Sequence, residues 1–398
     1  MIYLDNNATT KPSRACVEAM RKADEEAWFN PSSVHRAGQL ARQQVELARR
    51  DIAELIGATP REITFTSGGT EAIDLALEGV LGALPSTRRE LVTTEIEHAA
   101  IRDLGEELAV LGRAKVHLVA PGRDGLISPD ALAAAITPGT GLISVQWANN
   151  ETGAIQPVRE IAAIARSRGV LMHIDATQWV GKEPASIRDA DPSNTGDVSP
   201  WCDLITFAPH KFHGPKGVGV LWTHPKVRLR PRVPGSQELG RRGGTENVSG
   251  IVGAGVAARE AAAWLADPQP RATLAALRDQ FEQRVLELCP QATMNGPHGK
   301  TGNALRLWNT TNIAFPRLEA EALLLMLSER GVCASAGAAC SSGSLDPSPV
   351  LLAMGVPPEL AHGSLRFSLS RASTPDEVMQ AATIVGDCAQ LLRRSLPT

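Results

Sequence analysis

Lys211 is the residue of this chain that is best suited to act as an amine nucleophile. It lies between two apolar runs, 204–207 and 218–222, which have the length and composition of β-strands. Glycine and proline between these runs predict a tight loop, so Lys211 follows a buried strand directly. A lysine beside apolar groups and a second cation, here His210, is deprotonated more easily and becomes a usable nucleophile. A solvated loop lysine is the alternative that this segment leaves open.

A second reactive group is the thiol of Cys340, which lies in a segment of small side chains. Residues 333–344 are mainly alanine, serine and glycine and show no packing periodicity. Such a segment leaves a thiol accessible, and accessibility is the first requirement for a working thiol nucleophile. The six cysteines of the chain are scattered without a C-x-x-C pair, which argues against a disulfide framework and a closed zinc site. We expect most of them, including Cys333, to be buried.

The segment 63–71 predicts a site for an anion. A β-branched run, 63–66, is followed by Ser67-Gly68-Gly69-Thr70-Glu71 and then by an apolar helical pattern. A glycine-rich turn at a helix N-terminus offers free backbone amides and the positive end of the helix dipole, which suits a phosphate group. The spacing matches neither the nucleoside triphosphate motif nor the dinucleotide motif. An ordinary strand-to-helix turn fits the segment equally well.

Strand-like and helix-like segments alternate along most of the chain, which predicts an α/β fold with a mainly parallel sheet covered by helices on both faces. In such folds, ligand groups lie at the carboxyl ends of the strands. Polar residues that fall at these ends are His98, Asn150, Asp175, Gln178 and Lys211. Each has an ordinary alternative role, such as a helix cap for Asp175 or a turn for Asn150. Their joint placement favours one common site.

The segment 267–270, Asp-Pro-Gln-Pro, is the best candidate for a domain boundary. Residues 14–266 then form a large domain, to which an N-terminal segment, 1–13, is joined. Residues 267–398 form a smaller α+β domain. The segment 186–200, rich in aspartate, serine and proline, predicts a surface loop.

Arg371 is a candidate for binding a carboxylate. Residues 365–371 alternate apolar and polar side chains as a strand does, and Arg371 stands at the end of this pattern. A guanidinium group binds a carboxylate through two parallel hydrogen bonds. A surface salt bridge is the more usual role for such an arginine.

The composition favours a protein that acts on small molecules. The chain has 398 residues, of which 43% are hydrophobic and 21% charged, and its net charge is -3. This balance gives no electrostatic reason to expect nucleic acid or an anionic membrane surface as a partner. No apolar run reaches membrane-spanning length, and the first residues lack the regions of a signal peptide. We therefore expect a cytoplasmic protein.

Taken together, these segments resemble the cysteine desulfurases, the NifS/IscS-like branch of the class V aminotransferase family. The matching segments stand in the same order along essentially the whole chain: 3–10, 30–33, 66–71, 97–98, 149–151, 175–178, 210–211, 243–245 and the segment around Cys340. The resemblance implies fold type I of the pyridoxal phosphate enzymes, with a mainly parallel seven-stranded sheet and the smaller α+β domain. It also implies the conversion of L-cysteine to L-alanine. The sulfur would pass to Cys340 as a persulfide, and then to an acceptor protein for iron-sulfur cluster or thio-cofactor biosynthesis.

The resemblance implies a role for each residue at the predicted site. Lys211 would carry pyridoxal phosphate as a Schiff base and later move a proton between substrate and cofactor. Asp175 would keep the pyridinium nitrogen protonated, which makes the ring an electron sink. His98 would stack on the ring, and Gln178 would bond its phenolic oxygen. Asn150 would help to hold cofactor or substrate.

The same resemblance implies a phosphate site and a substrate site. Thr70, His210 and the backbone amides around Gly69 would hold the phosphate. Thr245 would reach over from a second subunit, which implies a homodimer. Arg371 would bind the substrate carboxylate.

The sequence departs from the family pattern at two positions near these groups. Ala208 stands where relatives usually have a serine that bonds the phosphate, and Ser370 replaces a glycine that is common before the last arginine. The chain also ends soon after its last predicted helix. We therefore expect it to lack the tail that some relatives use to dock an iron-sulfur scaffold protein.

Three other functions are compatible with many of these residues. A class V aminotransferase or a selenocysteine lyase would use the same cofactor, although an aminotransferase has no need for Cys340. A non-catalytic α/β binding protein would need neither cofactor nor thiol.

Overall fold

The computed structural model describes residues 1–188, 200–299, 305–336 and 346–395. Its strands are β1 (Ile2–Tyr3), β2 (Ile63–Thr66), β3 (Glu90–Thr94), β4 (Lys115–Val119), β5 (Thr140–Gln146), β6 (Leu171–Asp175), β7 (Leu204–Phe207), β8 (Gly219–Thr223), β9 (Thr293–Met294), β10 (Thr310–Ala314), β11 (Val332–Cys333), β12 (Ser335–Ala336) and β13 (Ser364–Ser368). Its helices are α1 (Arg14–Glu26), α2 (Arg36–Leu55), α3 (Gly69–Ala83), α4 (Ala99–Val110), α5 (Pro129–Ala135), α6 (Val158–Ser167), α7 (Val248–Leu265), α8 (Gln269–Leu288), α9 (Ala320–Glu329), α10 (Pro349–Ala353), α11 (Pro358–His362) and α12 (Pro375–Ser395).

A seven-stranded sheet, in the order β2-β8-β7-β6-β5-β3-β4, forms the centre of the larger part of the fold. All its strands run parallel except β8, which is antiparallel to β7 and to β2. The inner strands β5 and β7 are buried along their whole length, and their sequences are rich in apolar and β-branched residues. This composition is typical of a parallel sheet with both faces covered.

Helices cover both faces of this sheet, as the alternation of side chains along its strands shows. Leu142 on β5 packs into one apolar cluster with α3 and α4. Its neighbour Ile143 packs into another with α2, α6 and α7. Successive strand residues point to opposite faces, so the two clusters lie on opposite sides of the sheet. The predicted α/β class, the mainly parallel seven-stranded sheet and the helices on both faces are confirmed.

A second apolar core belongs to the C-terminal part of the chain. The antiparallel sheet β12-β13-β10-β9 packs with α8, α9 and α12 around residues such as Phe281 and Phe367. The N-terminal segment joins this core, because β1 pairs with β11 and Leu4 is buried in the same cluster. The domain limits at 14–266 and 267–398 stay a prediction.

Local signals in the sequence account for several element ends. Ser13 caps α1 by accepting a hydrogen bond from the Cys16 amide at 3.0 Å. Two expectations need correction. Strand β13 ends at Ser368, so Arg371 lies in the turn before α12 and not at the end of a strand. Cys333 is only half-buried, at the edge of the short β1–β11 ladder.

Most of the segment 186–200, for which the sequence predicts a surface loop, lies outside the described residues. Among the helices of the described part of the chain, none is both long and apolar enough to cross a membrane.

Candidate functional site

The carboxyl ends of the central strands bring the predicted site residues together. Asp175 is the last residue of β6, where it pairs in register with Gln146 of β5 and Thr206 of β7. The Asp175 side chain is buried, and its Oδ1 accepts a hydrogen bond from the Thr177 amide at 2.9 Å. A carboxylate is therefore fixed at the middle of the sheet edge, where ligands of such folds bind.

Lys211 follows β7 at the same edge. The chain leaves β7 at Phe207 and forms a 3-10 turn, Pro209–Lys211. The Lys211 amine donates hydrogen bonds to the carbonyl oxygens of Asn7, at 2.7 Å, and Ala8, at 2.8 Å. The amine is thus half-buried against the N-terminal segment, and a freely solvated loop lysine is ruled out.

Asn7 is the residue that links the predicted site residues to one another. It is 1% exposed, and its carbonyl oxygen accepts hydrogen bonds from Lys211 and from Gln178 Nε2, the latter at 3.1 Å. Its side-chain amide donates to the Asn150 carbonyl at 3.1 Å and to Thr310 Oγ1 at 2.9 Å. Lys211, Gln178 and Asn150 are therefore gathered around a single asparagine. The sequence shows only a polar opening there, and no local signal predicts these long-range contacts.

Lys182 is a second site residue that the sequence analysis missed. Its amine donates to Asn7 Oδ1 at 2.8 Å and to Gln178 Oε1 at 2.5 Å. Burial lowers the pKa of Lys182 well below its ordinary value, and the charges of Lys211 and Arg366 lower it further. In the sequence, Lys182-Glu183-Pro184 resembles a charged surface turn, so it gives no sign of this burial.

Glu97 is a buried acid beneath the same edge of the sheet. It accepts hydrogen bonds from Thr94 Oγ1 at 2.6 Å and from the Gln146 amide at 2.9 Å. Burial raises the pKa of Glu97 to about 8, and the charge of Asp175 also raises it. Glu97 is therefore mostly protonated at neutral pH.

His98 lies directly after Glu97, at the start of α4. Its Nδ1 accepts a hydrogen bond from the Ala100 amide at 3.1 Å, which caps the helix. This bond fixes the ring at the carboxyl end of β3, on the same sheet edge as Asp175. The stacking role of His98 stays a prediction.

The predicted phosphate site is an open helix N-terminus. Helix α3 begins at Gly69, and a Cβ added there would lie 3.5 Å from the Ala208 Cβ and 3.8 Å from Thr177 Oγ1. The first amides of α3 thus stand beside the turns that follow β6 and β7. Thr70, in the first turn of α3, is exposed. The first amides of a helix lack intrahelical partners and suit an anion.

His210 lies two residues after Ala208, in the turn that follows β7, and it is not the second cation that the sequence predicts. Its Nδ1 is 3.1 Å from Thr9 Oγ1. Burial, followed by the charge of Lys211, lowers the pKa of His210 to about 4. The ring is therefore neutral at pH 7. The prediction of a second cation fails because the burial of this ring cannot be judged from the sequence. A hydrogen bond is then the contact that it can offer to a phosphate.

Two arginines flank the site on the side of the smaller sheet. Arg371 donates to Glu260 Oε2 at 2.9 Å and lines a narrow cleft with Lys182, Lys211 and Trp264. Arg366, which the sequence analysis left without a role, is 2% exposed. Its Nη1 donates to the Asn150 carbonyl at 3.2 Å and its Nη2 to Asp5 Oδ1 at 2.8 Å. Arg366 Nε has no hydrogen-bond partner among the described residues.

Cys340 lies outside the described residues, but both flanks of its segment are described. On one side Ser335 pairs with Arg366 in the β12–β13 ladder. On the other side Ser348 Oγ donates to Glu151 Oε2 at 2.5 Å, next to Asn150 in the chain. The described residues on both sides of this segment therefore lie beside the site.

For Thr245, among the predicted site residues that the structure describes, no contact with this cluster is seen. It is exposed, in the turn that precedes α7. Its predicted role in a second subunit is not tested by a single chain.

Comparison with known proteins identifies the class of this protein. Residues 2–380 match the family model described as aminotransferase class-V, and the chain belongs to that family. A relative from Bradyrhizobium diazoefficiens, named cysteine desulfurase, is 43% identical over 99% of this chain and 96% of its own length. A solved structure of a NifS-like protein matches with a TM-score of 0.87 at 33% identity, covering 98% of this chain and 100% of its own. A structure of SspA in complex with cysteine matches with a TM-score of 0.78 at 30% identity, covering 94% of this chain and 100% of its own. The predicted resemblance to the NifS-like branch of this family is confirmed.

Proposed function

We propose that this protein is a cysteine desulfurase that depends on pyridoxal phosphate. It removes the sulfur of L-cysteine, releases L-alanine and passes the sulfur to an acceptor. The observation that carries the proposal is the meeting of Lys211 and Gln178 at the carbonyl oxygen of Asn7, beside the turn that begins at Asp175. The names of the relatives and the cysteine complex of SspA support the same reaction.

The residues at the sheet edge fit pyridoxal phosphate. The cofactor needs an amine, a carboxylate for its ring nitrogen and an anion site for its phosphate, and Lys211, Asp175 and the N-terminus of α3 offer these groups. When bound, pyridoxal phosphate supplies an electron sink for the substrate's bonding electrons.

Each side chain then has one task toward the cofactor. Lys211 holds it through Nζ and later moves a proton at that atom, and Asp175 holds the proton of the ring nitrogen. His98 covers one face of the ring, and Gln178 donates from Nε2 to the phenolic oxygen. Asn150 helps to orient cofactor and substrate.

The phosphate accepts hydrogen bonds from the backbone amides around Gly69, from the Thr70 hydroxyl and from His210. In a homodimer, Thr245 of the partner subunit adds a further contact. Ala208, 3.5 Å from the Cβ position of Gly69, gives this site a methyl group where a serine would give a hydroxyl.

Homodimer formation can be tested by complementation. Lys211→Ala and Thr245→Ala subunits are each impaired in both sites of their own dimer, but a mixed dimer regains one intact site. Coexpression should therefore restore part of the activity. Equal inactivity of the mixed preparation would contradict a shared site.

The substrate carboxylate is bound by an arginine next to Asn150 and Lys211. Arg371 lines the cleft with Lys211, but its guanidinium already bonds Glu260. Arg366 contacts Asn150 and keeps Nε without a partner in the described part of the chain. Replacing the carboxylate-binding arginine by lysine should raise the KM for L-cysteine at least tenfold, because a bidentate pair is lost. The same replacement at the other arginine should change KM much less.

The sulfur leaves L-cysteine by transfer to the thiol of Cys340. The thiolate attacks the substrate sulfur, the carbon–sulfur bond breaks, and Cys340 keeps the sulfur as a persulfide. The carbon chain takes up protons in place of the sulfur and leaves as L-alanine, so no external oxidant or reductant is required. A thiol-containing acceptor then takes the terminal sulfur and regenerates the Cys340 thiol.

The test is a visible absorption spectrum of the protein loaded with pyridoxal phosphate, before and after addition of L-cysteine and a reductant. We expect a cofactor band that shifts with substrate, and sulfide and alanine released in equal amounts. Lys211→Ala should abolish the band, whereas Lys216→Ala, an exposed lysine of the same segment, should keep it. Cys340→Ser should abolish sulfide release but keep the band, and Cys333→Ser should preserve both.

Other outcomes identify the alternatives. A band that shifts without sulfide would indicate transamination and would contradict the desulfurase. The absence of a band after loading would contradict any function that depends on this cofactor.

A further inference from the structure

Lys182 occupies an unusual position for a lysine, because it is buried among neutral oxygen acceptors. It is 4% exposed, and its amine contacts Asn7 Oδ1 and Gln178 Oε1. Its backbone carbonyl accepts a hydrogen bond from Trp308 Nε1 at 3.0 Å, which anchors the turn that carries it. The function proposed above gives this residue no task.

The chemistry of an amine determines how the amide of Gln178 is turned. A lysine ammonium has hydrogen-bond donors only, and the neutral amine still has two hydrogens for these two contacts. The group that faces Lys182 is the Gln178 carbonyl oxygen, which accepts a hydrogen bond from the amine in either protonation state. The Gln178 NH2 group is then directed to the other side, where one of its hydrogens goes to the Asn7 carbonyl. Its second hydrogen remains for a ligand.

The contact to Gln178 depends on Lys182 more than the contact to Asn7 does. Asn7 Oδ1 also accepts a hydrogen bond from Asn309 Nδ2, at 3.0 Å, so a second donor holds that side chain. Gln178 Oε1 has no other hydrogen-bond donor shown in the described part of the chain. Without Lys182, the buried carbonyl oxygen of Gln178 would lose its donor, and only the bond from Nε2 to the Asn7 carbonyl would hold the amide in this orientation.

We propose that Lys182 is a positioning residue that turns the Gln178 amide so that its NH2 group, and not its carbonyl oxygen, faces the phenolic oxygen of the cofactor. The inference rests on the proposed function and adds a residue to its site. A donor at this oxygen stabilises the negative phenolate, whereas a carbonyl oxygen would repel it. Lys182 therefore acts on the cofactor through Gln178 and without touching it.

The test uses the full-length protein loaded with pyridoxal phosphate and reads the pH dependence of its visible band. The titrating proton lies between the phenolic oxygen and the Lys211 nitrogen that holds the cofactor. A hydrogen-bond donor to the phenolate stabilises the state without this proton, so loss of the donor should make the proton harder to remove. Lys182→Met should raise the midpoint of the spectral titration by roughly half to one pH unit, the size of a modest change in one hydrogen bond to a charged group. It should also weaken cofactor binding several-fold. Lys226→Met, at an exposed lysine, should change neither.

A double variant separates positioning from a structural role. In a Gln178→Leu background there is no amide to turn, so adding Lys182→Met should produce no further shift of the midpoint. Lys182→Gln, which keeps a polar group, serves if Lys182→Met does not fold, and its midpoint should lie between those of the unmodified protein and Gln178→Leu.

Three results would overturn the inference. An unchanged midpoint in both Lys182 variants would show that the amide keeps its orientation without the lysine. An equal shift in the presence and absence of Gln178 would show that Lys182 acts directly through its charge. If the unmodified protein gave no cofactor band, the proposed function would fail, and this inference with it; a normal band with unchanged variants would reject the inference alone.

Discussion

The buried acid Glu97 should make the stability of this protein depend on pH in a way that one substitution removes. Its pKa is about 8 in the folded chain, against an ordinary value of 4.5. The folded state therefore binds this proton more tightly than the unfolded state does. The contribution to stability is complete below the ordinary value and is lost as the pH rises through the folded value.

The size of the effect follows from the pKa difference. Between these two values each pH unit removes up to about 1.4 kcal/mol, so from pH 5 to pH 8 the loss is about 3 to 4 kcal/mol. A chain of 398 residues has an unfolding entropy of about 2 cal/mol/K per residue. The loss therefore corresponds to about 4 °C in the melting temperature.

Glu97→Gln should abolish this dependence, because glutamine resembles the protonated acid in shape and hydrogen-bonding capacity. The assay is the melting temperature of the cofactor-free protein at pH 5, 6, 7 and 8, with Glu106→Gln, at an exposed position of α4, as the control. The advantage of the unmodified protein over Glu97→Gln should shrink by about 4 °C across this range. A difference that stays constant within 1 °C would refute the reasoning, since Glu97 would then ionise as easily in the folded chain as in the unfolded one.

Three further predictions concern the frame of the site. Glu238 and Arg49 form a buried bidentate ion pair with contacts of 2.6 and 2.7 Å, and Glu238→Gln leaves the arginine charge buried without its partner. This variant should lower the free energy of unfolding by about 3 to 5 kcal/mol in denaturant titrations. An Arg49→Met/Glu238→Leu double variant should lower it less. His210→Asn should make the stability of the fold less sensitive to acid. Burial lowers the pKa of this ring to about 4, so the neutral ring stabilises the fold above pH 6.5 and this contribution is lost as the pH falls toward 4. Acid unfolding curves identical to those of the unmodified protein would contradict this prediction. Gly181→Ala should destabilise the folded protein by about 2 kcal/mol or more, because Gly181 has a φ of 78° and an added Cβ would lie 2.5 Å from the Phe212 Cβ. A melting temperature equal to that of the unmodified protein would show that the turn adapts.

The parts of the fold that the sequence predicts well are those whose burial is uniform. Strands β2 and β7 span the predicted residues, because a buried strand of a mainly parallel sheet needs an unbroken apolar or β-branched run. The sheet edge follows from the strand order, and with it the common location of Asp175 and Lys211. Asp175 ends β6 and Lys211 follows β7 after one short turn, so the sequence places each of them next to a strand end.

The parts that the sequence does not predict depend on contacts between distant segments. Asn7 and Lys182 join the site through bonds that span 175 residues, and neither has a local pattern that marks it. The charge of His210 depends on how deeply its ring is buried, which only the packed structure determines. Arg371 was expected at a strand end because the alternating pattern continues past Ser368, where β13 stops.

The position of Asn7 has a consequence for how the protein is made. The oxygen that accepts a hydrogen bond from the Lys211 amine belongs to a residue that is synthesised 204 positions before Lys211. That segment is fixed in place by partners near the other end of the chain: Asn6 bonds the Ser368 carbonyl across 362 residues, and the Asn7 amide bonds Ser368 Oγ. Contacts of such separation form late, because the intervening chain must be ordered first. The reactive amine thus receives its final surroundings only once β13 has been synthesised and docked, and a nascent chain that stops before it cannot assemble the site.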